Sequence, residues 1–144
     1  MNLNSLTRDK KVEEFEFPGL EGFKVQLCML SKNYIQRLIA KSTKTTYDKK
    51  NYQPREEFDN DKFLELFTKE VVKGWEGLKA SYLPDLLLAD ISQIENPDEV
   101  YLDYSQENAV DLMTKSTDFE RWVNTVTSDL GNFNKPQSKE SSKE

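Results

Sequence analysis

Apolar and polar positions alternate near the start of the chain and then change period. Val12-Glu13-Glu14-Phe15-Glu16-Phe17, late in its run, and Phe23-Lys24-Val25-Gln26-Leu27 place apolar residues two apart, the period of a strand with one buried face. Between them, Pro18-Gly19-Leu20-Glu21-Gly22 carries turn chemistry: proline fixes φ, and glycine tolerates positive φ. The pattern predicts a β-hairpin that buries Phe15, Phe17, Phe23, Val25 and Leu27. A lone hairpin is marginal in water. Its apolar face must therefore lie on helices from later in the chain or on another subunit.

From Ser31 onward the period becomes helical. Ser31 is placed to cap a helix over 32–41 with Tyr34, Ile35, Leu38 and Ile39 on one side. Phe63, Leu64, Phe67, Val71, Trp75 and Leu78 form one stripe, opened by Asp59 or Asn60 and weakened at its end by Gly74 and Gly77. Pro84 suits the first turn of a short helix over 84–92 with Leu86, Leu87, Leu88 and Ile91. Asn96-Pro97-Asp98 reads as a turn and Val100-Tyr101-Leu102 as extended chain. Ser105 caps a helix of about ten residues, with Glu107 in the first turn where the macrodipole favours an anion. Thr117-x-x-Glu120 reads as a capping box for the last helix. That helix repeats Phe119, Trp122, Val123, Val126 and Leu130 before Gly131.

The remaining stretches lack periodicity. Residues 1–11 read as a flexible N-terminus and 134–144 as a disordered C-terminal tail. Residues 42–58 read as a polar loop whose apolar handles are Tyr47, Tyr52 and Phe58. A loop of that length in a small domain is either mobile or functional. The expected fold class is α+β: a mostly α-helical single domain over 12–133 with an N-terminal β-hairpin and a disordered C-terminal tail.

Composition narrows the chemistry. The 144-residue chain has 36% hydrophobic and 32% charged residues, and a net charge of -6. That sign opposes phosphate binding, so no nucleic-acid partner is expected. No apolar run approaches a membrane span, and Met1 to Lys11 has no apolar signal core. One cysteine, Cys28, gives no internal disulfide, which points to a cytosolic protein. The absence of histidine removes the usual general base and metal ligand. Asp59-Asn60-Asp61 resembles the opening of a calcium loop, but Phe63 and Leu64 stand where a ligand and a glycine belong. Gly74-x-x-Gly77 lacks the Gly-Lys-Ser/Thr of a phosphate loop. No catalytic, cofactor or metal site is expected, and only a metal-carboxylate hydrolase would be chemically open to this chain.

Two segments carry a resemblance. Val72-Lys73-Gly74-Trp75-Glu76-Gly77-Leu78 is followed by Tyr104-Ser105-Gln106-Glu107-Asn108-Ala109 and then by Asp118-Phe119-Glu120-Arg121-Trp122-Val123. Their order resembles the tail assembly chaperones of long-tailed (siphovirus-type) bacteriophages, with coverage from about Phe63 to Phe133. The chain departs from that pattern between Leu78 and Tyr104, where residues 79–103 intervene in place of a short polar loop. The resemblance implies a non-enzymatic scaffold in the host cell cytoplasm, absent from the mature virion. It would bind and solubilise the tape measure protein, a long apolar helical client, while the tail tube forms. It also implies contact with tail tube protein through a longer frameshifted form, for which 134–144 would serve as a tether. Helix-in-groove binding by many copies along one client would give avidity and self-association. The anchors best placed for such a client are Trp75, Leu78, Tyr82, Leu86 and Leu87, with Trp122 in addition. The alternative is a small acidic adaptor or inhibitor acting by charge mimicry; 26 acids against 20 bases make its acidity diluted.

Overall fold

The computed structural model describes residues 1–134. The expected disordered tail lies outside the described residues except at Asn134. A short 3-10 turn at Leu3–Ser5 precedes strand β1, Lys10–Glu16. Strand β2, Lys24–Leu30, pairs antiparallel with β1 from Lys10↔Leu30 to Glu16↔Lys24. Phe23, Val25 and Leu27 are buried, as alternation requires, while Phe15 and Phe17 pack on the core from its margin. Ser31 caps helix α1, Lys32–Lys41, by accepting a hydrogen bond from Tyr34 N–H.

The expectation of a mostly helical domain with one hairpin is overturned: among the described residues five strands form two sheets. The first correction is at the stripe that ends in Trp75 and Leu78. Helix α2, Asn60–Val71, stops at Val71, and Val72–Glu76 is strand β5. Asp59 caps α2 by accepting from Lys62 N–H at 3.0 Å. Two consecutive β-branched residues, Val71 and Val72, resist helix continuation, and Gly74 weakens it further. The free edge of β2 takes up β5 antiparallel, with Val25 opposite Trp75 and Gln26 opposite Gly74. The sheet order is β1-β2-β5, so β2 is central.

The second correction is at 42–58, read as a polar loop. It forms a two-stranded antiparallel ribbon, β3 Thr43–Tyr47 and β4 Pro54–Phe58. The third is at 84–92: a 3-10 turn, Ala80–Tyr82, runs into a single helical turn α3, Leu83–Leu86, and Leu87 is already extended. Ser105 caps helix α4, Gln106–Lys115. Helix α5, Thr117–Thr127, is capped by Ser116, one residue ahead of the expected box, through a bond from Phe119 N–H. Gly131 opens a last turn, α6 Gly131–Asn134, and Leu130 lies outside both helices and is exposed.

Helices α2 and α5 pack on β2, α2 also reaches β5, α4 packs on α2 and α5, and α6 lies on β1, where Phe133 meets Phe15 edge-on at 5.2 Å. The core centres on Phe23, Leu27, Val72, Leu78, Phe119 and Val123. Lys10 and Glu70, 2.8 Å apart, clip β1 to α2. Two buried hydroxyls lack a hydrogen-bond partner among the described residues, Ser81 and Thr68, and Thr68 is the fully buried residue, on α2. An orphaned buried hydroxyl costs on the order of 1–3 kcal/mol, and an apolar isostere removes that cost. Thr68→Val is therefore expected to raise the melting temperature; a fall in the melt would show that the hydroxyl is bonded.

Candidate functional site

The segments that carry the resemblance meet in space. Trp75 Nε1–H donates to Leu102 O at 2.9 Å, and Tyr104 O–H donates to Val72 O at 2.9 Å. The two rings pack edge-to-face at 5.2 Å. Leu102 N–H donates to Leu78 O at 2.8 Å, and Ala80 N–H donates to Val100 O at 2.7 Å. The chain entering residues 79–103 is thus tied to the chain leaving them, and the segment is a loop closed at its neck. Burial pushes the Tyr104 phenol above its ordinary range, which keeps it a neutral donor to the backbone.

The six anchors suggested by sequence sit in or beside this knot. Leu78 and Leu86 are buried in the core. Trp75 and Trp122 are half-buried; the Trp122 ring meets Phe17 edge-on at 4.9 Å. Tyr82 donates its hydroxyl to Glu21 O at 2.6 Å, and Leu87 packs on the core from its edge. Hydrogen bonding and packing already occupy much of each side chain.

A different set of residues forms an open concavity. A cleft of about 510 Å³ runs between the end of β2, α1, α2 and the C-terminal half of α5. Its apolar walls are Met29 and Leu30 from β2, Ile35 from α1, and Phe67 and Val71 from α2. Lys32, Gln36, Asn124, Thr127 and Ser128 form the polar rim, and Cys28 lies at the floor. Capping at Ser31 sets the start of α1, which brings Ile35 and Lys32 to one side of the opening. The stop at Val71 ends α2 where β5 begins, which leaves Phe67 and Val71 on the opposite wall.

Several polar groups that line the cleft are subdued by their surroundings. Burial raises the Cys28 thiol pKa, with Lys73 opposing only in part, so the nucleophilic thiolate is disfavoured. Thr127 and Ser128 spend their hydroxyls on carbonyls of their own helix, Val123 O and Asn124 O. Lys32 alone brings a charge to the rim. An apolar side chain inserted here would exchange water for Met29, Ile35 and Phe67. None of the six anchors lines the cleft. Its residues escaped the sequence reading because Ile35, Phe67 and Val71 fall on apolar helix stripes, whose ordinary meaning is core. The half-buried Met29 beside a fully buried neighbour carries no sequence signal of its own.

Among the described residues, no helix is long and apolar enough to cross a membrane. No curated protein and no solved structure matches the chain. A family model described as YdaY prophage protein matches residues 29–144, a span that takes in the cleft from Met29 onward and both halves of the aromatic knot. The chain is a phage-derived protein and belongs to the YdaY prophage protein family.

Proposed function

We propose that this protein is a tail assembly chaperone that holds an apolar helical segment of the tape measure protein in the cleft between β2, α1, α2 and α5. The observation that carries the reading is the cleft itself: apolar walls open to solvent on a domain of net charge -6. A helical client lays one apolar stripe into such a groove and leaves its polar face in water. The acidic body keeps each complex soluble, and many copies along one long client add avidity without tight individual sites. The resemblance of Val72–Leu78 and Tyr104–Ala109 to tail assembly chaperones supports the same reading. Contact with tail tube protein would belong to a longer form of the chain.

Co-expression with the tape measure protein of the same prophage tests this reading. The client is expected to be soluble and to co-purify with the wild-type chain. Met29→Lys combined with Ile35→Glu places charge on the β2 and α1 walls of the cleft and should abolish co-purification, while Trp122→Phe should not. Circular dichroism of the double variant checks that it is folded. A client that stays insoluble with the wild type, or a double variant that still captures it, would sink the proposal.

A further inference from the structure

Away from the cleft, two exposed segments carry opposite charge. The ribbon with its flanks, 41–58, has Lys41, Lys44, Lys49, Lys50 and Arg55 against Asp48, Glu56 and Glu57, a net +2 on a chain of -6. Every residue of β4 is exposed, and Tyr47 and Tyr52 are 65% and 77% exposed. The ribbon is held at its root, where Asp59 N–H donates to Ser42 O at 2.7 Å and Phe58 tilts against Phe63 at 5.6 Å. A two-stranded ribbon with so little cover gains almost nothing from burial in its own chain.

The second segment is the neck-closed loop. Residues 85–103 hold Asp85, Asp90, Glu95, Asp98, Glu99 and Asp103 with no lysine or arginine, and all six acids are exposed. Leu88 is fully exposed, and Val100 and Tyr101 are exposed beside the acids. Each segment thus combines one sign of charge with unburied apolar side chains.

We propose that the ribbon of one copy docks on the 85–103 loop of a second copy. Lys49, Lys50 and Arg55 would face the acids of the loop, and Tyr47 and Tyr52 would cover Leu88, Val100 and Tyr101. A second copy fits better than a nucleic acid. Setting the ribbon's +2 aside leaves -8 on the rest of the chain, a field that repels phosphate and attracts the ribbon of a like molecule. The two surfaces differ, so the contact is heterologous. Each added copy leaves one ribbon and one loop unpaired, and assembly runs to a ring or an open chain rather than a closed dimer.

Sedimentation velocity of the full chain without any client tests this directly. The wild type is expected to form concentration-dependent oligomers at about 0.1 M salt and to dissociate at about 1 M, where the screening length falls to about 3 Å. Lys49→Glu with Lys50→Glu should weaken association about tenfold or more, as should Asp98→Lys with Glu99→Lys. An equimolar mixture of the two double variants should associate again, because each then meets a complementary surface. A wild type that stays monomeric at about 100 µM, or reversals that leave association unchanged, overturns the proposal. So does a mixture that fails to restore association, or a ribbon that retards a labelled oligonucleotide while the protein sediments as a monomer.

Discussion

Replacing Gly77 by alanine is expected to prevent folding. Gly77 has φ +77°, a region that L residues enter at a cost of about 1–2 kcal/mol. The larger cost is steric. A Cβ at Gly77 would stand 2.0 Å from Gly22 O and 2.8 Å from Gly22 C, in the turn between β1 and β2. Both atoms are backbone, so relief requires the hairpin turn to move away from the end of β5. That movement would strain the pairing of Lys24 with Glu76 and the seat of Phe23 in the core. Together these terms amount to about 4 kcal/mol or more, a large share of the 5–15 kcal/mol that holds a typical domain folded. Two controls isolate the cause. Gly19 has φ +85° but open space around its missing Cβ, so Gly19→Ala should lose only the conformational part. A Cβ at Gly74 meets only the Gln26 side-chain end, at 2.9 Å, which can swing aside, so Gly74→Ala should fold. The check is soluble yield and urea melts of all three. A Gly77→Ala variant as stable as Gly19→Ala would show that the close approach to Gly22 is absent.

Elements whose burial pattern and local signals agree were legible from the sequence. Ser31 and Ser105 each accept the capping bond expected of them, and α1 and α4 follow over Lys32–Lys41 and Gln106–Lys115. The alternation of Phe23, Val25 and Leu27 found β2. Strand β5 was hidden because Phe67, Val71, Trp75 and Leu78 keep helical spacing through the point where the helix stops. The deciding partner is Val25 on β2, more than 40 residues away, and a local window cannot see it. The ribbon was hidden for the opposite reason. Hardly any of it is buried, so no apolar alternation exists, and its strands rest on backbone pairing around a turn in which Tyr52 sits at φ +57°. The leucines at 86–88 promised a helix, yet Leu86 turns inward, Leu87 takes the edge and Leu88 faces solvent. The cleft was beyond sequence reading because it is assembled from four separated segments.

The aromatic knot changes what the resemblance means physically. Trp75 bonds Leu102 and packs on the ring of Tyr104, which in turn bonds Val72. The paired motifs therefore specify how β5 is joined to the start of α4. The surfaces proposed above for partners lie elsewhere, in the cleft and in the segment between the motifs. The family match from Met29 onward spans both.

Phe119→Ala is expected to be the most damaging core truncation outside the glycine positions. Phe119 is fully buried on α5 and sits among Phe17, Phe23, Trp75 and Trp122, with ring centroids 5.9–6.4 Å away. It touches rings of the hairpin, of β5 and of its own helix at once. Removing it opens a cavity bounded by four large rings, and rigid rings on a sheet collapse poorly into a void. A buried Phe→Ala change costs about 3–5 kcal/mol, and the value here should fall at the upper end. The expected fall in melting temperature is roughly 10–20 °C. The Ser116 cap should survive, because it bonds the Phe119 backbone N–H and not the ring. Helical signal should therefore persist in the folded variant while the near-ultraviolet signal of Trp75 and Trp122 flattens, since both indoles lose the ring that fixes them. Phe119→Leu fills part of the void and should recover about half of the loss. A Phe119→Ala melt within about 1 kcal/mol of wild type would mean that the sheet and α5 are not joined through this cluster. The packing described for Trp75 and Trp122 would then fall with it, and both tryptophans would return as candidates for direct contact with a client.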